Sequence, residues 1–205
     1  MESHSRLRRD FTLFFRLYSS VPSPVLLNVH TKEIAMLYAI TVTQYQKMLG
    51  NLSAILDKAA AYAESKKFNV EVLLNSRLAP DQFNLIRQVQ IACDTAKFGA
   101  ARIAGKEAPS HPDTETTLPE LQARIKATQD YLATLTEQDF EGAAERHVSQ
   151  PRWEGKYLTG LEYTLQHSFP NIGFHITTAY SILRSNGVDV GKKDYLGAMP
   201  YKQPN

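Results

Sequence analysis

Leu165 to Gly197 reads LQHSFPNIGFHITTAYSILRSNGVDVGKKDYLG, and this stretch decides the fold. It has the form of a long last helix that stops at Gly187, where a left-handed cap is wanted, with Val188 placed to pack back on the final turn. Pro170 sits inside the pattern. It lacks a backbone donor and its ring collides with the turn before it, so a kink or local break is expected there. His167, Asn171 and His175 recur every fourth residue and share one stripe. Polar side chains stacked on a helix otherwise rich in aromatic and aliphatic residues face either a pocket or a satisfied network in the core.

Working backwards, the chain repeats the helical period three more times. Tyr45, Met48, Leu49, Leu52, Ile55, Leu56, Ala59 and Ala63 keep the i, i+3, i+4, i+7 rule, and Thr41 with Gln44 has capping-box spacing. A second helix opens at Pro80-Asp81 and ends at Gly105, with Phe83, Ile86, Val89, Cys93, Ala96, Ala100 and Ile103 on its inner face. A third opens at Thr117, with Pro119 in its first turn and Glu120 completing a capping box. The predicted helices are 41–65, 81–104, 118–135 and 160–186. Asn69 to Leu74 and Thr136 to Phe140 read as short extra turns. Residues 145–158 lose the helical rhythm. Val148, Trp153 and Tyr157 around Glu154-Gly155 predict a small hairpin-like insertion before the last helix. The fold class is all-α, a four-helix bundle with that insertion.

Charge divides the chain differently. Residues 1–35 carry Arg6, Arg8, Arg9, Arg16 and Lys32 against Glu2, Asp10 and Glu33, an excess of +2. The whole chain is also +2, so residues 36–205 balance at zero. A neutral body without a basic stripe argues against nucleic-acid binding. No run approaches the ~20 apolar residues needed to span a bilayer. The single cysteine, Cys93, excludes an internal disulfide and a cysteine-based zinc cluster, which fits a reducing compartment and a cytoplasmic location. Residues 1–35 are Arg-rich and Ser-rich, with a Val21-Pro22-Ser23-Pro24 break. They read as a poorly ordered extension arising from an upstream start, with Met36 as the functional beginning. The alternative is a mitochondrial targeting segment. The bundle is assigned to 36–197 and a tail to 198–205.

Candidate chemistry centres on His167, Asn171 and His175 of the last helix, facing Gln88, Gln90 and Asp94 of the second. His167 and His175 lie ~12 Å apart along a straight helix, too far to share an ion. A buried Asp94 needs a partner, and His175 would supply one. The expected ligand-binding set is therefore His175, Asn171, Asp94 and Gln90, lined by Leu52, Ile55, Ala179 and Leu183, with no metal or cofactor assigned and a divalent metal as the alternative. Cys93 beside Asp94 reads as a small core residue, because an adjacent carboxylate disfavours the thiolate. The Gly and Lys residues after Arg184 follow a helix C-terminus, where the dipole repels anions, so they are not a phosphate loop. His111 and His147 have no spaced partner.

Four segments carry a resemblance: LYAITVTQYQKMLGNLSAILDKA (37–59), LAPDQFNLIRQVQIACDTAK (78–97), LPELQARIKATQDYLATL (118–135) and FPNIGFHITTAYSILRSNGVDVGKKDYLG (169–197). Together they resemble a family of unknown function within the DinB/YfiT-like helical bundles, over roughly residues 36–197. The resemblance implies a four-helix bundle, often a homodimer. Many members of that superfamily hold a divalent metal with three histidines, one on the second helix and two at i, i+4 on the last. Some use it to activate a low-molecular-weight thiol. Counted back from Gly187, His175 falls on the second histidine of the pair and Asn171 on the first. The second helix has no histidine, with Gln90 or Asp94 in that neighbourhood. The reading is a bundle with a degenerate metal site and a polar pocket for a small molecule. The alternative is a metal- and thiol-dependent transferase or hydrolase.

Overall fold

The structure is a computed structural model and describes residues 24–204. Of the N-terminal extension, residues 1–23 lie outside the described residues, so its targeting character is not visible. Helix α1 (Pro24–Tyr38) starts inside the span given to the extension. Proline is at home in this first position, where its missing N–H has no partner to lose. The chain divides into an N-terminal unit ending at Glu33 and a second unit from Ile34 onward, which holds everything below.

Four long helices form a closed ring of neighbours: α2 (Gln44–Lys66), α4 (Leu85–Ala104), α5 (Leu118–Ala133) and α7 (Phe169–Ser185). In the ring α2 touches α5 and α7, and α4 touches α5 and α7. The short helix α3 (Glu71–Leu74) lies between α2 and α4. The core is apolar and dry: Leu49, Leu52, Ile55, Leu56, Val89, Ile103, Leu121, Ile182 and Leu183 are all fully buried. These are the inner-face positions of the sequence stripes. Among the described residues no helix is long and apolar enough to cross a membrane.

The helix ends follow local chemistry. Lys67 closes α2 in the left-handed conformation at φ +60°. Thr117 and Glu120 form the reciprocal capping box that starts α5. Gly187, at φ +89°, ends α7, and the Val188 amide donates to Leu183 O at 3.1 Å while its side chain is buried. That bond satisfies a carbonyl the last turn leaves orphaned. A 3₁₀ turn (Glu137–Phe140) follows α5. Then β1 (His147–Val148) pairs antiparallel with β2 (Leu158–Thr159), His147 opposite Thr159. Glu154 and Gly155 both have positive φ in the loop between them, the hairpin the sequence predicts.

Two boundaries differ from the sequence reading. The second long helix starts at Leu85 rather than 81, because Asn84 and not Pro80-Asp81 caps it: the Asn84 side chain accepts from the Arg87 amide. Phe83 therefore precedes the helix and is 57% exposed instead of facing the core. Thr41 does not begin a helix. It lies in a π-helical turn (Ala39–Thr43) that joins α1 to α2, and its hydroxyl donates to Leu37 O.

The predicted last helix is likewise three pieces. The short α6 (Gly160–Tyr163) runs into a second π-helical turn (Thr164–Ser168) and then α7. The irregularity precedes Pro170, which sits in the first turn of α7, where its missing donor is tolerated. After the hairpin, the tail forms α8 (Lys192–Leu196) against α2.

Candidate functional site

Helix α4 presents two polar faces, and they serve different neighbours. At ~100° per residue, Thr95 lies within ~20° of Gln88, whereas Gln90, Asp94 and Lys97 fall on the opposite side of the helix. The Gln88 face meets α7. His175 Nδ1 lies 2.7 Å from Gln88 Oε1, and Asn171 Nδ2 donates to Thr95 Oγ1 at 2.7 Å. The other face meets α5 and the loop before it. Asp94 Oδ1 lies 2.9 Å from Arg124 and 3.2 Å from Lys97, and Gln90 Nε2 donates to Glu115. The expected approach of Asn171 and His175 to Gln90 and Asp94 is corrected by this geometry. Asp94 is neutralised by cations, and the partner of His175 is the amide of Gln88. Gln88 and Thr95 were recoverable from their seven-residue spacing, which marks one helical stripe.

The Gln88 side chain fixes the state of His175. Gln88 Nε2 donates to Phe83 O at 3.1 Å, so its oxygen faces the imidazole. Nδ1 is then the protonated nitrogen, and Nε2 carries the free lone pair. His175 is 8% exposed and stands edge-on to the ring of the exposed Phe174, 5.2 Å away. Burial, with the positive charge of Arg87 adding to it, pushes its pKa down to about 4. The side chain is thus a neutral, oriented hydrogen-bond acceptor at the bundle surface.

The opposite face is a charge cluster. Arg124, whose side chain is almost fully buried, pairs with Asp94, Asp113 and Glu115, each at 2.9 Å. Arg87 also pairs with Asp113. Lys97, fully buried, contacts His111 Nδ1 at 3.0 Å. Three cations thus meet three carboxylates, and the 106–116 loop is clasped to α4 and α5. Burial works to raise the carboxyls of Asp113 and Glu115. The hydrogen bonds and charge of Arg87 and Arg124 outweigh it and hold both below the usual range. Burial, reinforced by Lys97, holds the His111 pKa down.

The remaining candidates are placed elsewhere. His167 belongs to the hairpin side: Arg152 lies 3.0 Å from its Nε2, Tyr163 stacks on it and Trp153 stands edge-on. His147 stacks on Tyr157. Cys93 is buried, which pushes its thiol up to about 12, as suits a core residue. Among the described residues no group of three or more His, Cys, Asp or Glu side chains is placed to hold a metal ion.

Comparison with known proteins adds a family to this geometry. The family model described as Domain of unknown function (DUF1993) matches residues 37–196. The chain is also similar to a DinB family member protein from Shewanella denitrificans with a known crystal structure. The two are 63% identical, with 85% of this chain and 99% of that chain covered, and a TM-score of 0.83. No curated protein matches the chain.

Proposed function

The chain belongs to the family described as Domain of unknown function (DUF1993), with the fold of a DinB family member, and from that premise we propose that it is a metal-independent binding bundle for a small polar ligand. The observation that carries this reading is the 2.7 Å bond between His175 Nδ1 and Gln88 Oε1. A three-histidine metal site of the kind the resemblance implies needs imidazole lone pairs converging from two helices. Here the second-helix position facing His175 is an amide whose oxygen is taken up by the imidazole N–H. The position one turn back is Asn171, whose amide donates to Thr95. Amide oxygens are poor ligands for a transition metal. This donor set does not fit a tightly held ion, and no catalytic step is assigned to one.

What remains for a ligand is His175 Nε2 and the Asn171 carbonyl, one turn apart on α7, bordered by the exposed rings of Phe83 and Phe174. Both are acceptors, so the ligand is a small molecule presenting hydrogen-bond donors, with aromatic surface beside it.

Metal analysis of freshly purified protein, followed by thermal melts against a panel of small amines, amides and polyols, tests the reading. Substoichiometric metal is expected, together with stabilisation by a panel member that His175→Ala abolishes. Stoichiometric metal that disappears in His175→Ala would overturn the proposal and favour the thiol-dependent transferase or hydrolase.

A further inference from the structure

A cleft of about 740 Å³ opens between the first turns of α2, the start of α7 and the chain that follows α8. Its walls are Met48, Phe169, Leu196, Met199 and Pro200. Phe169, Leu196 and Met199 are each more than a third exposed, so the apolar surface is presented to solvent. The volume lies in the range of small-molecule pockets, ~300–1,000 Å³. The cleft uses a different face of α7 from His175 and goes beyond the reading above without depending on it.

One cation stands on this wall. Lys47 Nζ lies 3.8 Å from Met199 Sδ, and among the described residues no carboxylate pairs with it. Other lysines do have acidic partners: Lys58 with Asp194, Lys97 with Asp94, Lys106 with Asp139 and Lys126 with Asp130. A thioether is a weak acceptor, so the ammonium keeps donors to give. The cleft is also preformed. Asn51 donates to Tyr195 O at 2.9 Å, Lys58 pairs with Asp194, and Thr177 donates to the Tyr195 hydroxyl. Gly197, at φ +64°, closes against Asn51 so tightly that a methyl group there would overlap the amide. A wall ordered in advance does not charge its ordering entropy to the ligand.

We propose that this cleft binds a small amphipathic carboxylate. Its head group pairs with Lys47 and its hydrocarbon part lies on Met48, Phe169, Leu196 and Met199. The combination of an unpaired ammonium with an apolar trough selects both halves of such a molecule.

Calorimetric titration of the full chain with octanoate, with octanol as the uncharged control, tests the proposal. Octanoate is expected to bind saturably at one per chain and more tightly than octanol. Lys47→Met should weaken octanoate about tenfold, the factor of one charge-assisted hydrogen bond, and leave octanol unchanged. Met199→Trp, at an exposed tail position, should fill the cleft and block both, with an unaltered circular dichroism spectrum. His175→Ala should not affect octanoate, which separates this site from the one proposed above. Absence of saturable binding, or equal affinity in wild type and both variants, would overturn the proposal. So would a concentration-dependent dimer that Met199→Trp dissolves, because a second copy would then cover the cleft.

Discussion

The hydroxyl of Tyr45 lies 2.8 Å from Oγ of Ser168, across 123 residues of sequence. Ser168 is the last residue of the second π-helical turn, and Tyr45 stands just past the first. Both side chains are fully buried, and burial pushes the Tyr45 phenol well above its usual range, so it remains a donor. The bond therefore pins the two irregular turns together in the core.

Gly99 of α4 is the third member of this junction. A methyl at Gly99 would overlap the Ser168 hydroxyl. Gly99→Ala is expected to cost about 1–3 kcal/mol through overpacking. Adding Ser168→Ala should recover part of that loss, because it removes the overlapping oxygen. Denaturant melts of the two single variants and the double variant check this; strictly additive losses would mean the two sites do not touch.

His175 and Gln88 should be energetically coupled, and His175 and Asp94 should not. Double-mutant cycles with alanine are expected to give a coupling of about 1 kcal/mol for the first pair and additivity for the second. Each residue of the first pair, truncated alone, leaves a buried polar group without its partner.

The depressed pKa of His175 has a sign that can be checked. Between about 4 and the usual 6.5 the unfolded chain binds a proton that the folded chain refuses. Stability from this group is therefore complete above pH 6.5 and is lost as pH falls toward 4. His175→Gln should flatten the stability profile in that window, by about 2–4 kcal/mol between its ends. Parallel profiles for variant and wild type would show that His175 titrates normally.

Arg124 holds three carboxylates, so removing it strands all of them. Arg124→Ala is expected to destabilise by about 3 kcal/mol or more, with the largest rise in hydrogen exchange over 106–116. Arg124→Lys should rescue little, because one ammonium cannot reproduce the guanidinium fork.

Much of this fold was legible in the sequence because helix stripes and caps are local. Thr117 with Glu120 and Gly187 with Val188 were readable as start and stop signals, and both act so here. The start of α4 was not, since Pro80-Asp81 and Asn84 both carry N-terminal chemistry and only packing chooses between them. The π-helical turns were hidden for a related reason: a stripe counted at a constant angle has no place for an extra residue. The site was half legible. His175 and Asn171 stood out on α7, but their partners depended on which side of α4 turns toward α7. Gln90 and Asp94 are the more conspicuous residues, and their side turns away.

The π-helical turn at Thr164–Ser168 has a consequence for how this chain tolerates changes in length. A π-helical turn holds one residue more than the α-helix it interrupts. Deleting a single residue there would restore an ordinary helix and rotate everything beyond it by about 100°. Phe169–Ser185 would then show α4 a different row of side chains, and His175 would leave Gln88. Substitutions in this segment act where they fall, whereas a one-codon deletion re-indexes the whole of α7.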